Sequence, residues 1–137
     1  MVTLKAPAEL VDHKIYFNGP WLIMAESSRH ARETSENEDY IALKYLAKSV
    51  NAVLTAESNQ SYCVLLTMNG QALTEENKGR DVVIGDNGDS FLEISWARLY
   101  ELVDHLQYAQ GQELRMSSNS PDFGLFAFTF GVYKEGP

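Results

Sequence analysis

Apolar and polar residues alternate over most of this chain, and the alternation is sharpest where turn residues interrupt it. Tyr62, Val64, Leu66 and Met68 alternate up to Asn69-Gly70, a dipeptide suited to a tight hairpin, and Gln71 to Leu73 starts the return strand. Asp81 to Ile84 and Phe91 to Trp96 flank Gly85-Asp86-Asn87-Gly88-Asp89, a second hairpin signal. Gln112 to Ser117 reads as a strand and Ser118 to Asp122, around Pro121, as a turn. Phe123 to Tyr133 reads as a closing strand in which Phe126, Phe128 and Phe130 share one face, predicting three rings buried in the core. Nearer the start, residues 1–12 read as an extended leader, and His13 to Phe17 as a strand that turns at Asn18-Gly19-Pro20. Trp21 to Ala25 resumes as a strand. Residues 26–39 are almost wholly polar and predict a long exposed loop, mobile rather than functional.

Two segments carry mixed signals. Leu43, Leu46, Ala47, Val50 and Leu54 recur at helical spacing, but Ile41, Leu43, Tyr45 and Ala47 alternate, as do Val50, Ala52 and Leu54. Periodicity alone leans to a helix over 40–56, with two strands broken near Lys48-Ser49 as the competing reading. Arg98 to Val103 fits a short helix or a strand. Short strands at this spacing predict an antiparallel sandwich or barrel, formed by one domain over 13–133 with a tail at 134–137.

Composition narrows the function classes. The 137 residues suffice for one domain with a core of its own. A net charge of −8 disfavours nucleic acid, whose affinity rests on Lys and Arg displacing counterions, and disfavours docking on anionic lipid. The single cysteine, Cys63, has no internal partner for a disulfide, a CxxC pair or a cysteine-based zinc site, and reads as a small core or strand residue. No apolar run approaches the ~18 residues of a membrane span, and residues 1–7 lack the basic start and apolar core of a signal peptide.

Several segments, in order, resemble one family. They are Gly19-Pro20-Trp21 with Ala25-Glu26, Ile41 through Leu54, the hairpin bearing Asn69-Gly70-Gln71, and Gly79-Arg80-Asp81-Val82. Ala97-Arg98-Leu99-Tyr100-Glu101-Leu102-Val103 and Phe126-Ala127-Phe128-Thr129-Phe130-Gly131 complete the set. Together they resemble the C-terminal β domain of DipZ-type thioredoxin-like proteins, the cytochrome c biogenesis and thiol-disulfide group. The chain departs from that pattern at Ala97, where a proline is usual, and at Gly124-Leu125 in place of a Val-Glu pair. The resemblance implies an all-β, antiparallel jelly-roll sandwich similar to galactose-binding and carbohydrate-binding modules. It places 40–56 in two strands, and that assignment is adopted over the helical periodicity. It further implies a thioredoxin-like domain or redox protein as partner and an extracytoplasmic setting.

Trp96, Arg98 and Tyr100 are the foremost ligand-binding candidates. Residues two apart share a strand face; aromatic rings stack on sugar faces, and Arg donates a planar fork to oxygens. The competing reading makes the two aromatics core residues and Arg98 an internal ion pair. Asp86 and Asp89, or Glu36, Glu38 and Asp39, offer the oxygens a structural Ca²⁺ would need, although the 86–89 stretch reads first as a simple turn. His13, His30 and His105 are scattered without metal-ligand spacing. With no nucleophile elbow, P-loop or dinucleotide fingerprint, the chain is expected to have no catalysis and no cofactor of its own. Three functions follow in order. The first is a binding or accessory module for a glycan or peptide, the second a structural docking domain on a thioredoxin-like neighbour, and the third an independent hydrolase.

Overall fold

The computed structural model describes residues 2–7, 9–10, 14–23, 27–56 and 60–131, without the side chains of 107, 108 and 110. His13, Ala25-Glu26 and the 134–137 tail lie outside the described residues. Among the described residues, ten strands run as β1 (Val2–Leu4), β2 (Ile15–Ile23), β3 (Ser28–His30), β4 (Tyr40–Thr55), β5 (Tyr62–Met68), β6 (Gln71–Ala72), β7 (Val83–Ile84), β8 (Ser90–Ile94), β9 (Arg98–Ser117) and β10 (Gly124–Gly131). No helix occurs among the described residues, so none is long and apolar enough to cross a membrane. The strands join in the order β1-β2-β3-β10-β4-β9-β5-β8-β7, with β6 on β5, and every pairing is antiparallel.

β2 also pairs with β4 through Ile15–Asn18, while its far end pairs with β3, and β3 pairs with β10, which returns to β4. These four strands therefore make a closed hydrogen-bonded circuit. The all-β, antiparallel, sandwich-like architecture expected from the alternation is present.

β4 and β9 form the spine, paired from Tyr40↔Ser117 to Leu54↔Arg98. The helical reading of 40–56 is overturned. Ile41, Leu43, Tyr45 and Ala47 are buried in one alternating run and Val50, Ala52 and Leu54 in a second. The phase changes across Lys48-Ser49, where the register with β9 also slips, between Ala47 and Ser49. The strand therefore bulges instead of breaking in two. The three-residue step from Ala47 to Val50 is what imitated a helix. Arg98 to Val103 likewise belongs to one continuous strand, β9.

Two further expectations fail locally. Asn18-Gly19-Pro20 is not a turn but the middle of β2; Gly19 takes φ +110, and Pro20, lacking an N–H, lies opposite Thr3 of β1. In β10, the register slips between Leu125 and Ala127, which turns Phe126 outward to 52% exposure. Phe128 and Phe130 pack only partly against the core, with ring centroids 6.5 Å apart. The aromatic centre lies around Trp21, whose ring has Phe17 at 5.0 Å, His30 at 5.1 Å and Phe123 at 5.5 Å.

The hairpin signals hold. Asn69 and Gly70 both adopt positive φ, 53° and 83°, as a two-residue turn between right-twisted strands requires. The 85–89 turn closes with the Gly85 N–H donating to the Asp89 carbonyl at 2.8 Å.

The bulge in β10 yields a direct test. Phe123→Ala should cost about 3–5 kcal/mol of unfolding free energy, the usual value for an emptied core ring. Phe126→Ala should cost less than about 1 kcal/mol. Urea denaturation of both variants checks the contrast; equal losses would contradict the outward placement of Phe126.

Candidate functional site

The polar segment after β2 is not the free loop its composition suggests. β3 pairs with β2 and β10, and the His30 N–H donates to the Phe123 carbonyl at 2.8 Å. Further along, Asp39 sits at 1% exposure immediately before β4. Its carboxylate accepts from Arg32 Nε and Nη2, both at 2.7 Å, and lies 2.6 Å from His30 Nε2. The Arg32 hydrogen bond outweighs the burial penalty and, with help from His30, holds the Asp39 carboxyl below its ordinary value. His30 Nδ1 lies 2.9 Å from the Ser120 carbonyl, so both ring nitrogens face oxygen acceptors. Gly19 backs this cluster: a Cβ there would overlap the Asp39 carboxyl, and its φ of +110 disfavours any side chain.

Anchored at both ends, the segment between is latched to the turn before β10. The Thr34 N–H donates to the Asn119 carbonyl at 2.9 Å, and Thr34 Oγ1 donates to Asn119 Oδ1 at 2.8 Å. The Asn37 N–H reaches the same Oδ1 at 2.7 Å, aided by a positive φ of 56°. Between segment and turn opens a cleft of about 770 Å³. Its floor is the outward face of β5 and β8, with Cys63, Leu65 and Phe91, and Asn87 and Asp89 of the 85–89 turn form its far wall. Cys63 is therefore exposed, not a core residue. Partial desolvation of the sulfur and the nearby Glu93 push its thiol up, away from the reactive thiolate.

Trp96, Arg98 and Tyr100 do come together. The Arg98 guanidinium lies 3.9 Å from the Tyr100 ring centroid and 5.8 Å from that of Trp96. Asp81 binds it through two oxygens, at 2.9 and 3.4 Å, and the Leu99 carbonyl accepts from Nη1 at 2.8 Å. Burial raises the Asp81 carboxyl, but Arg98, the Glu101 N–H and the charge of Arg80 bring it below its ordinary value. Tyr100 is buried and its hydroxyl donates to the Trp96 carbonyl at 2.7 Å, while Trp96 is 62% exposed. Neither this cleft nor a smaller one around His105 is lined by these three residues.

Asp86 and Asp89 occupy the turn, where Asp89 accepts from Asn87 Nδ2 at 3.0 Å. Among the described residues, no three His, Cys, Asp or Glu side chains converge as a metal site would need. Glu36 and Glu38 stay at the surface while Asp39 turns inward; the backbone N–H groups of Glu36, Glu38 and Ser35 lower the Glu38 carboxyl. His105 Nε2 lies 2.6 Å from the Tyr45 hydroxyl, and burial lowers the His105 ring and raises the Tyr45 phenol. Sequence reasoning did not single out Arg32, Asn37 or Asn119. The available signal was weak, consisting of small polar residues in segments of turn composition.

A family model for the thioredoxin-like C-terminal domain matches residues 1–131. The chain belongs to that family. A search of curated proteins finds no match. Membership in the thioredoxin-like C-terminal domain family supports an accessory role in association with a thioredoxin-like domain. In this thioredoxin-like C-terminal domain, a charge cluster centred on the buried His30 and Asp39 anchors the segment that walls one side of the cleft.

That cluster gives a pH prediction. A carboxyl held below the ordinary Asp value of about 3.9 stabilises the fold above that pH and loses its contribution as pH falls through the folded value. Asp39→Asn should therefore lower stability at neutral pH by about 1.5–3 kcal/mol. Its deficit relative to the parent should shrink below about pH 4. Urea titrations across pH measure this; a deficit independent of pH would contradict the charged role of Asp39.

Proposed function

We propose that this domain is a non-catalytic accessory module of a DipZ-type thioredoxin-like protein and that it docks on the thioredoxin-like domain. In this reading the sandwich is a jelly roll related to galactose-binding modules. It has no redox or hydrolytic residues of its own, so turnover belongs to its neighbour. The observation that carries the reading is the outward face of the sheet formed by β9, β4 and β10. Leu99, Val53 and Ala127 lie side by side across these strands, Leu99 is 44% exposed, and Phe126 bulges out beside Ala127. Exposed apolar rows on an otherwise acidic domain are candidate contact surfaces. The partner is taken from the family, whose domains associate with thioredoxin-like ones.

A second reading, recognition of a glycan or peptide at Trp96, is favoured by one observation. The indole stands exposed next to the Arg98–Tyr100 stack. The Arg98 donors there are engaged by Asp81 and Leu99, so the ring supplies most of what such a site offers.

Docking is tested by titrating the thioredoxin-like domain of the same system into labelled protein. Amide shifts should concentrate at Val53, Leu99 and Phe126, and Leu99→Glu should weaken association at least about tenfold, or 1.4 kcal/mol. Unchanged thermal stability of Leu99→Glu would separate lost contact from misfolding. Shifts confined to Trp96, or no association, would refute the docking reading.

A further inference from the structure

We infer that the cleft beneath the latched segment receives an extended, basic peptide segment, with Lys or Arg side chains set against its carboxylates. This inference concerns a different surface from the docking face and does not depend on the docking reading.

Carboxylates reach the cleft from three separate pieces of chain. Glu33 comes from the latched segment, Asp89 from the 85–89 turn and Asp122 from the turn before β10. Among the described residues lining the cleft there is no Lys, Arg or His to offset them. Arg32, next to Glu33 in sequence, is held by the Asp39 carboxylate through Nε and Nη2. Glu33 has no hydrogen-bond or ion-pair partner among the described residues, and Asp89 has one oxygen engaged, by Asn87 Nδ2 at 3.0 Å. Like charges that face one space repel, and a cationic occupant relieves that repulsion. The carboxylates do not converge on one point as a metal ion would need, so the matching positive charges are those spaced along a chain.

The rest of the lining fits a polypeptide better than a simple polyamine. Asn119 Oδ1 accepts from Thr34 Oγ1 and from the Asn37 N–H, and an N–H can meet only an oxygen, so the amide orientation is fixed. Its Nδ2 then remains a donor with no acceptor among the described residues. That donor suits a peptide carbonyl, a group that a polyamine lacks. Leu65 and Phe91, both partly exposed on the floor, offer apolar cover for the methylene stem of Lys or Arg while the charged head reaches a carboxylate. The Phe91 ring also presents a face to a cation. A volume of about 770 Å³ lies within the ordinary range for ligand sites. The segment is already latched at Thr34 and Asn37, which lowers the ordering cost of binding. A net charge of −8 draws such a partner in from a distance.

The test is a titration of the ¹⁵N-labelled domain with blocked glycine-based pentapeptides that carry Arg and Lys, two Gln, or two Glu at the second and fourth positions. The basic peptide should bind with a Kd below about 2 mM at about 20 mM salt, shifting the amides of Leu65, Phe91 and Asn119. Raising the salt to about 0.5 M should weaken it at least about fivefold. Glu33→Gln and Asp89→Asn should each weaken it about threefold, and Phe91→Ala should weaken it by a similar factor. Glu75→Gln, which removes an exposed carboxylate outside the cleft, should leave binding unchanged. The inference is overturned if the basic peptide shifts none of these amides up to about 10 mM, or if the Gln or Glu peptide binds as tightly. An equal loss in Glu75→Gln and Glu33→Gln would also overturn it, since that marks diffuse attraction and not a site. So would occupation of the cleft by spermidine or a neutral disaccharide when the basic peptide does not bind. Association with the thioredoxin-like domain, measured on the same variants, should be unaffected.

Discussion

β4 can keep both halves of its alternation in one core only if the strand changes phase between Ala47 and Val50. Ile41, Leu43, Tyr45 and Ala47 are odd-numbered and Val50, Ala52 and Leu54 are even-numbered, yet all are buried. An uninterrupted pleat would expose one set to water. The slips in register against β9 between Tyr45 and Ser49 resolve this, and bulges of this kind also bend a strand. The bend lets β4 pair with β2 through Tyr40–Leu43 and with β10 through Ser49–Thr55, along the same edge. The closed circuit of β2, β3, β10 and β4 depends on that change of partner.

Closing the circuit has an electrostatic consequence. The chain leaves β3 and must reach the start of β4 across the end of the sheet, and it does so with Asp39 pressed against Gly19 in β2. A carboxylate buried there would be costly alone. Arg32, half-exposed, and His30, fully buried, supply the compensating hydrogen bonds, and His30 passes the connection on to the Ser120 carbonyl. One charge cluster thereby joins the segment before β4 to the turn before β10, the two pieces of chain that face each other across the cleft.

The parts of this fold legible in the sequence are those whose cause is local. Asn69-Gly70 and the 85–89 turn declared their hairpins because positive φ at small residues is a property of a few consecutive positions. Bulges are not local in this sense, since they arise from register with a partner strand. For that reason 40–56 imitated a helix and Phe126 read as a core ring. Asn18-Gly19-Pro20 has turn composition, but Gly19 uses its freedom to let Asp39 approach. The 26–39 segment misled for the opposite reason: its polarity reflects internal hydrogen bonds as well as solvent. Trp96, Arg98 and Tyr100 lie against one another, as their spacing suggested, although Trp96 precedes β9 and is exposed while Tyr100 is buried. Asp81, from the segment before β7, was beyond the reach of that spacing, and it is Asp81 that engages the guanidinium.

β9 connects the outward Leu99 row to the cleft. Its first part, Arg98–Val103, pairs with the Val50–Leu54 half of β4 and carries Leu99 outward, beside the Ala127–Phe126 bulge of β10. Its last part, Leu114–Ser117, pairs with β5 and runs directly into the 118–122 turn that walls the cleft. None of the residues lining the cleft belongs to the Leu99–Val53–Ala127 row or to its Phe126 neighbour. A partner held on that row would therefore share a strand with the cleft without using its groups. An accessory domain built this way can stay attached to a thioredoxin-like neighbour while its polar cleft remains available, which a single shared surface would not permit.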